Sequence, residues 1–278
     1  MSARRRRLDA ELVRRDLAPS RSAARRLVES GSVLVGGSVA TKADRMVLPG
    51  DALVVVGEGP RFVGRAGEKL HAALEEFGLD PEGLEALDAG ASTGGFTDCL
   101  LQHGAEHVVA LDVGHGQLHE SLRGHDRVTV LERTNLRHCG PEELGHFDAV
   151  VADLSFISLT AVMEVLLSVA RPGAWLVLLV KPQFECGRAE ASRGRGVVRD
   201  PEVWVRTLET VMNSAAEHRG VIMGAMVSPL RGGDGNVEFL VHVRAPVEHG
   251  PRATGHEGSL GSLARTVVES VPAGGSRG

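Results

Sequence analysis

The chain of 278 residues can hold one domain of about 200 residues and a smaller one. Three widely spaced cysteines, no apolar run near the roughly 20 residues of a membrane span, and no apolar stretch after the first arginines predict a cytoplasmic protein. The net charge of -5 hides an asymmetry, because residues 1–50 carry 11 Lys/Arg against 5 Asp/Glu and the remainder is strongly acidic. The basic segment therefore predicts contact with a nucleic acid.

The first predicted elements are two helices within LDAELVRRDLAPSRSAARRLVESG. Leu8, Leu12 and Val13 recur at helical spacing, and Ser20 can cap a second helix. Short strands are predicted at 32–35, 39 and 52–56, separated by turn glycines. The pattern is that of a small α+β unit.

Arginines occupy the outer face of the second predicted helix, close to the arginine run at 4–7. A solvated helix face is one interpretation, and phosphate binding is the other. The pattern RLDxxLV followed by SRxxAxxLVxxGxVxVxG, from Arg7 to Gly37, resembles the S4-like RNA-binding domain, and this resemblance implies that residues 1–59 bind RNA. The candidate contacts in this unit are Arg4, Arg6, Arg7, Arg21, Arg25 and Arg26.

Strands and helices alternate after a linker at 60–66 and a helix at 68–77. Strands are predicted at 84–88, 108–112, 128–131, 149–153 and 175–180, with helices at 94–103, 159–170 and 202–218 among them. The last two strands, 221–227 and 238–243, can pair antiparallel at one edge. This order predicts an α/β Rossmann-like domain over 67–245, with a doubly wound, mostly parallel sheet and an antiparallel edge strand. Residues 246–278 are expected to form a flexible tail with at most a short helix near 260–268.

The segment DAGASTGG has the features of a cofactor turn, since a strand ends at Asp88 and a helix begins near Gly94. Asp112 ends the next strand, where an acid can accept hydrogen bonds from ribose hydroxyls. A structural turn is the alternative interpretation. The spacing is neither GxGxxG nor GxxxxGK[ST], and it is similar to the first motif of class I S-adenosylmethionine methyltransferases.

Four charged residues are predicted to meet at the strand ends beside this turn: Lys69, Asp153, Lys181 and Glu238. The segment VADLSF has neither a [DN]PP[YF] run nor a nucleophilic cysteine, which favours a hydroxyl as the methyl acceptor. A ribose hydroxyl must lose its proton to attack, so Lys181 is predicted to accept it as a neutral amine beside Lys69. Asp153 would orient Lys181, and Glu238 would position both lysines. Taken singly, each charge could instead be an ordinary loop or edge residue.

Six motifs together resemble the TlyA family, which joins an S4-like domain to an FtsJ-type methyltransferase domain: GRAGEKL, DAGASTGGFTDCLLQHGA, ERTNLR, ADLSFISL, VKPQFE and GNVEF. The resemblance implies 2′-O-methylation of cytidine in 16S ribosomal RNA, 23S ribosomal RNA or both, within ribosomal subunits, with S-adenosylmethionine as cofactor. The protein is expected to act as a monomer. The resemblance assigns the catalytic roles to the four charged residues above. The implied cofactor contacts are Gly90, Ser92, Thr93, Gly94, Asp112, Asn135 and Asp153.

Further RNA contacts are expected at Arg65, beside the linker, and at Arg188 and Arg195 in a basic loop. No metal site is predicted, because His115 and His119 lack an accompanying acid motif and are more consistent with a solvated helix face. Two other functions stay open. One is a non-catalytic RNA-binding or ribosome-assembly factor, and the other is a membrane-active hemolysin, a label sometimes given to this family.

Overall fold

The chain divides into two compact units, Met1–Arg61 and Phe62–Gly278, with the boundary inside the predicted linker. This is a computed structural model that describes residues 5–18, 20–56, 61–187, 190, 196–247, 255 and 258–272. Arg4, Arg188 and Arg195, three of the predicted RNA contacts, lie outside the described residues.

The first unit packs two short helices against small antiparallel sheets. Ser20 caps the second helix by accepting a hydrogen bond from the Ala23 backbone amide at 3.2 Å. Leu8, Leu12 and Val33 are fully buried between the helices and the strands. Strands β1 and β4 pair with each other, and a second sheet has the order β3-β2-β5. The described elements are α1 (Leu8–Arg14), α2 (Arg21–Glu29), β1 (Arg6–Arg7), β2 (Val33–Val35), β3 (Ser38–Val39), β4 (Met46–Val47) and β5 (Leu53–Val55).

The second unit alternates strands and helices. Its strands are β6 (Glu85–Ala89), β7 (His107–Leu111), β8 (Val128–Leu131), β9 (Phe147–Ala152), β10 (Ala170–Val180), β11 (Val221–Val227) and β12 (Phe239–Arg244). Its described α-helices are α3 (Ala66–Phe77), α4 (Gly95–Gln102), α5 (Glu120–Arg123), α6 (Pro141–Leu144), α7 (Met163–Ser168), α8 (Pro182–Glu185), α9 (Pro201–Glu217) and α10 (Leu260–Glu269).

The seven strands form one sheet in the order β11-β12-β10-β9-β6-β7-β8. All neighbours from β8 to β10 are parallel, and β12 alone among the described strands of this sheet runs in the opposite direction. The predicted Rossmann-like fold and the predicted antiparallel pairing of the last two strands are confirmed. The structure adds that β12 lies between β10 and β11, one position in from the edge.

Strand β10 is the most buried part of this sheet. From Ala174 to Val180 every residue is buried, with side chains alternating between two cores on opposite faces. Leu176 and Leu178 face the core covered by α7, α9 and α10, while Val177 and Leu179 face the core under α3 and α4. A strand covered by helices on both faces explains the unbroken apolar run.

Within the tail expected over 246–278, the short helix considered near 260–268 is present as α10. Helix α10 packs against α9 and β11, and it buries Leu263, Ala264, Val267 and Val268. Because these side chains recur at helical spacing on one face, their burial holds the segment against the unit. The predicted helix over 159–170 is also divided, into a 3₁₀ turn at Leu159–Ala161 and α7.

Candidate active site

The predicted charged residues extend from one edge of the seven-stranded sheet. Strands β9 and β10 are parallel neighbours, so Asp153 and Lys181, which follow them, leave the sheet at the same edge. Strand β12 is reversed, with Phe239 opposite Val180, and it therefore begins at this edge. Glu238 immediately precedes β12 and is brought to the place where the parallel strands end.

Lys181 forms the first of two buried ion pairs. Its Nζ atom lies 2.5 Å from Oδ1 of Asp153 and donates a hydrogen bond to Oγ of Ser155 at 2.9 Å. Only 7% of Lys181 is exposed, so the ammonium group depends on these partners. Pro182 follows at the first position of α8 and ends the strand at this point.

Lys69 and Glu238 form the second ion pair. Lys69 projects from α3, and its Nζ atom donates to Oε2 of Glu238 at 2.5 Å, with 5% and 3% of the two residues exposed. Gly232 lies against this pair, since a Cβ atom there would be 2.5 Å from Oε1 of Glu238. Both ion pairs line one cavity of about 230 Å³.

The ion pairs differ in one respect from the sequence prediction. Glu238 was expected to position both lysines, whereas within the described residues it forms an ion pair with Lys69 and Asp153 forms one with Lys181. The cavity thus contains two separate lysine–carboxylate pairs. Their four roles in catalysis stay predictions.

A second cavity, of about 400 Å³, lies along the ends of β6, β7 and β9. It shares Gly90, Ser92 and Asp153 with the first cavity, so the two spaces meet at Asp153. Asp112 and Asn135 also line it, whereas Thr93 lines the smaller cavity. Gly94 lines neither and stands at the start of α4.

The residues of the larger cavity fit an adenosine-containing cofactor. Asp112 accepts hydrogen bonds from the backbone amides of Ser92 at 2.8 Å and Gly114 at 2.6 Å, and each of its carboxylate oxygens can accept a further bond. The other lining residues include apolar side chains suited to a nucleobase. Gly90 has φ +89° and packs on the Asp153 backbone, where a Cβ atom would lie 2.6 Å from the carbonyl oxygen. The turn is therefore built for close backbone approach.

Asp88 is a buried acid under this turn that the sequence reading treated only as a strand end. It is 0% exposed, and Thr97 donates to its Oδ2 atom at 2.6 Å. Burial raises the pKa of Asp88 to about 7, the Thr97 hydrogen bond acts to lower it, and the charge of Asp153 raises it further. The pKa of Asp88 is thus raised far above the usual value for an aspartate.

The loops after β9 and β10 are joined by contacts that were also missed. Glu185 accepts hydrogen bonds from Oγ of Ser158 at 2.5 Å and from the Leu159 backbone amide at 2.9 Å. Burial raises the pKa of Glu185, while both hydrogen bonds act to lower it. The Phe156 ring lies 5.2 Å from the Phe184 ring and is 91% exposed. The two segments lie within the motifs ADLSFISL and VKPQFE, and these motifs are the sequence feature that could have predicted the contact between them.

The predicted RNA contacts fall into several environments. Arg7, Arg21 and Arg25 surround Asp9 in the first unit. Arg26 is half-buried and is not among the ion-pair partners of Asp9 in the described residues, so its contact with RNA stays a prediction. The remaining described contacts are Arg6, 3.9 Å from Glu11, and Arg65, which lines the smaller cavity.

The two histidines considered for metal binding are not on a helical face. His115 lies in a loop and contacts Glu132 at 2.6 Å, and His119 caps α5. Within the described part of the chain, no group of three or more His, Cys, Asp and Glu side chains is arranged to hold a metal ion. A search of the same residues found no helix of the length and apolarity that crossing a bilayer requires.

Comparison with known families divides the chain in the same two parts. Residues 62–245 match the FtsJ-like methyltransferase family, and residues 6–53 match the S4 domain family. The first match covers the seven-stranded sheet and both cavities, and the second covers the arginines around Asp9.

Individual relatives resemble the chain over most of its length. The 16S/23S rRNA (cytidine-2′-O)-methyltransferase TlyA of Mycobacterium tuberculosis is 48% identical over 260 residues, covering 93% of this chain and 97% of the relative. Hemolysin A of Brachyspira hyodysenteriae is 37% identical over 85% of this chain and 98% of the relative. A solved structure from Streptococcus thermophilus that is named a hemolysin is 36% identical, covers 96% of each chain and superimposes with a TM-score of 0.72.

Proposed function

Since the chain belongs to the TlyA family, in which an S4 domain precedes an FtsJ-like methyltransferase domain, we propose that it methylates the ribose 2′-hydroxyl of cytidine in ribosomal RNA, with S-adenosylmethionine as cofactor. One observation carries the proposal. Two buried lysine–carboxylate pairs line a small cavity that meets the cofactor cavity at Asp153. A hydroxyl placed there would have an amine on one side and the cofactor on the other.

S-adenosylmethionine, when bound, supplies an electrophilic methyl group for attack by the hydroxyl oxygen. Lys181 takes the hydroxyl proton, for which it must first be neutral. Asp153, whose Oδ1 atom is 2.5 Å away, and Ser155 hold the amine in position. In this proposal the O–H bond breaks as an N–H bond forms on Lys181.

Lys69 has the complementary role of holding the hydroxyl oxygen. Its ammonium group has three N–H donors, and Glu238 engages one of them at 2.5 Å. The others can point into the cavity that the lysine lines. Because both members of this pair are buried, their positions are fixed before the RNA arrives, which favours catalysis by pre-organisation.

We infer that the substrate is ribosomal RNA within ribosomal subunits and that the protein acts on it as a monomer in the cytoplasm. The names of the relatives and the basic S4 unit support the ribosomal RNA substrate. Incubating purified small and large subunits with the protein and labelled S-adenosylmethionine, then mapping 2′-O-methyl sites, tests it. A wild-type protein that binds the RNA without methyl incorporation would instead be an assembly factor, and lysis of protein-free vesicles would support the hemolysin names.

Lys181→Ala tests the assigned proton acceptor. Methyl transfer to ribosomal RNA should fall by about 10²–10⁴-fold because the hydroxyl retains its proton. The affinity for S-adenosylmethionine, measured by calorimetry, should be nearly unchanged, since Lys181 lines only the smaller cavity.

Lys181→Arg is the matched control for charge. Arginine keeps the positive charge but does not become a neutral base, so this variant should be as inactive as Lys181→Ala. Substantial transfer by either variant would remove Lys181 from its assigned role.

A further inference from the structure

The buried carboxylate of Asp9 gathers three arginines on the S4 unit. Arg7 donates to it through Nε and Nη2, both at 3.2 Å, and Arg21 donates through Nη2 at 3.0 Å. Arg25, one helical turn after Arg21 on α2, places its Nη2 atom 3.9 Å from the same oxygen. The Ala10 backbone amide fixes the other carboxylate oxygen at 2.8 Å. One acid thus connects β1, α1 and α2.

Asp9 is buried while its three arginine partners are exposed, and this difference leaves the arginines accessible to a ligand. Asp9 is 0% exposed, whereas the side chains of Arg7, Arg21 and Arg25 are 43%, 59% and 56% exposed. The Asp9 carboxylate is therefore shielded from solvent, whereas the three guanidinium groups are exposed to solvent. Within the described residues, Asp9 receives the only side-chain hydrogen bonds that these guanidinium groups donate. Most of their N–H donors are left for another acceptor.

The charges around Asp9 do not balance. Three arginines surround Asp9, and the charge of one further acid, Asp44, also helps to raise the pKa of Arg7, so the cations still outnumber the acids. Burial acts to raise the pKa of Asp9, but the hydrogen bonds from Arg7 and Arg21 outweigh it and the pKa is lowered, so the acid is ionised at neutral pH. An excess of positive charge on exposed guanidinium groups matches the charge and hydrogen-bonding geometry of RNA phosphates.

Arg15, beside a neighbouring acid, shows what a purely structural guanidinium looks like. Glu11 is also buried, and it pairs with Arg14 and Arg15 and lies 3.9 Å from Arg6. The remaining donors of Arg15 go to the backbone carbonyls of Pro49 and Asp51, each at 2.8 Å, so this guanidinium is consumed within the fold. The arginines around Asp9 have no such internal acceptors in the described part of the unit.

We propose that Asp9 is a positioning residue for RNA, and that its carboxylate holds Arg7, Arg21 and Arg25 as one phosphate-binding site. The proposal rests on the proposed function, because it takes ribosomal RNA as the ligand of the S4 unit. The proposal predicts that an acid on a basic surface promotes RNA binding. Removing the negative charge should weaken RNA binding, although long-range electrostatics alone would strengthen it.

Asp9→Asn tests the predicted direction of the change in RNA affinity. Filter binding of the full-length protein to 16S and 23S ribosomal RNA transcripts, over a series of KCl concentrations, should give an affinity about tenfold weaker than wild type. The dependence of log K on log salt should become shallower by about one, because the released arginines no longer engage phosphates together. Asp16→Asn is the matched control. Asp16 is exposed in the same unit, and its loss should leave RNA affinity unchanged or slightly higher.

A double-mutant cycle separates positioning from a general effect on folding. Arg21→Gln, at a 59% exposed side chain, should weaken RNA binding in the wild-type background and have little further effect in Asp9→Asn. Equal losses in both backgrounds, or RNA binding by Asp9→Asn at or above the wild-type level with an unchanged salt slope, would overturn the proposal.

Methyl transfer distinguishes this inference from the proposed function. At saturating RNA, Asp9→Asn should retain the wild-type kcat, with the loss confined to KM. If wild type transfers no methyl group to ribosomal RNA, the proposed function fails whatever the binding data show. If wild type is active and Asp9→Asn binds RNA normally, only the role of Asp9 fails.

Discussion

Phe156 is a residue whose position points to a role outside the protein core. Its side chain is 91% exposed, and its backbone has φ +65°, a conformation that costs free energy for a residue with a Cβ atom. It lines the cofactor cavity close to Asp153, and its ring contacts Phe184. A strained, exposed aromatic ring at this site is suited to stack on the base of the target nucleotide.

Replacing Phe156 with alanine should therefore lower methyl transfer to ribosomal RNA by about tenfold or more, the expected loss of one base–aromatic contact. Phe156→Trp should restore transfer, since it retains a stacking surface. Both are measured as kcat/KM with ribosomal subunits.

Val247 supplies the control for Phe156, because it is also an exposed apolar residue of the second unit but lines neither cavity. Val247→Ala should leave RNA methylation within about twofold of wild type, since it removes no aromatic ring and touches neither cavity. Wild-type transfer by Phe156→Ala would exclude the stacking role.

At the scale of elements, the first turn of α3 decides where Lys69 can reach. Gly67 packs on Phe62, and a Cβ atom there would lie 2.4 Å from the ring. The same turn crosses the start of α4, where a Cβ atom on Gly95 would lie 2.9 Å from the Gly67 backbone nitrogen. This close crossing brings α3 against the cofactor turn and lets Lys69 meet Glu238.

Gly67→Ala should consequently destabilise the second unit by about 1–3 kcal/mol through overpacking and should lower methyl transfer as Lys69 shifts. Urea unfolding followed by tryptophan fluorescence measures the first effect, because Trp175 and Trp204 both belong to this unit. Adding Phe62→Leu should recover part of the stability by making room.

The matched control for this glycine is Gly124→Ala. Gly124 has φ -106° and open space around its Cβ position, so alanine should be nearly neutral there. Equal stability of Gly67→Ala and wild type would show that the crossing tolerates a methyl group.

At the scale of the whole molecule, the active site has buried charges that the fold must stabilise. Lys69, Lys181 and Glu238 are all buried, and removing one partner of such a pair leaves the other charge uncompensated. Asp88 adds a cost of another kind, since its buried carboxyl ionises only near pH 7. The stability of the second unit should therefore depend on pH.

The sign follows from proton binding. With a pKa of about 7 in the folded protein and 3.8 in the unfolded chain, Asp88 binds more protons in the native state between pH 4 and 7. Its contribution to the free energy of unfolding is thus full below pH 4 and is lost as the pH rises through 7, by up to about 4 kcal/mol.

Asp88→Asn should remove this pH dependence. The free energy of unfolding of the variant minus that of wild type should be larger at pH 8 than at pH 5. Urea unfolding followed by tryptophan fluorescence measures both. Asp126→Asn, at an exposed aspartate, should follow the wild-type curve. Parallel pH profiles for Asp88→Asn and wild type would mean that Asp88 ionises normally in the folded state.

The sequence by itself determined the elements and the location of the cofactor turn. The apolar run of β10, the glycine-rich turn after β6 and the capped helix α2 are local patterns, and local patterns reflect burial and backbone conformation directly. The doubly wound, mostly parallel class of the sheet also followed, because alternating strands and helices permit few topologies.

Tertiary structure alone decided which distant groups meet. It placed β12 inside the sheet, divided the four charges into two ion pairs, and packed α10 against α9. It also surrounded Asp9 with arginines from two elements and exposed Phe156 beside the cofactor cavity. Such contacts depend on the packing of segments far apart in the chain, which periodicity within a single segment does not encode.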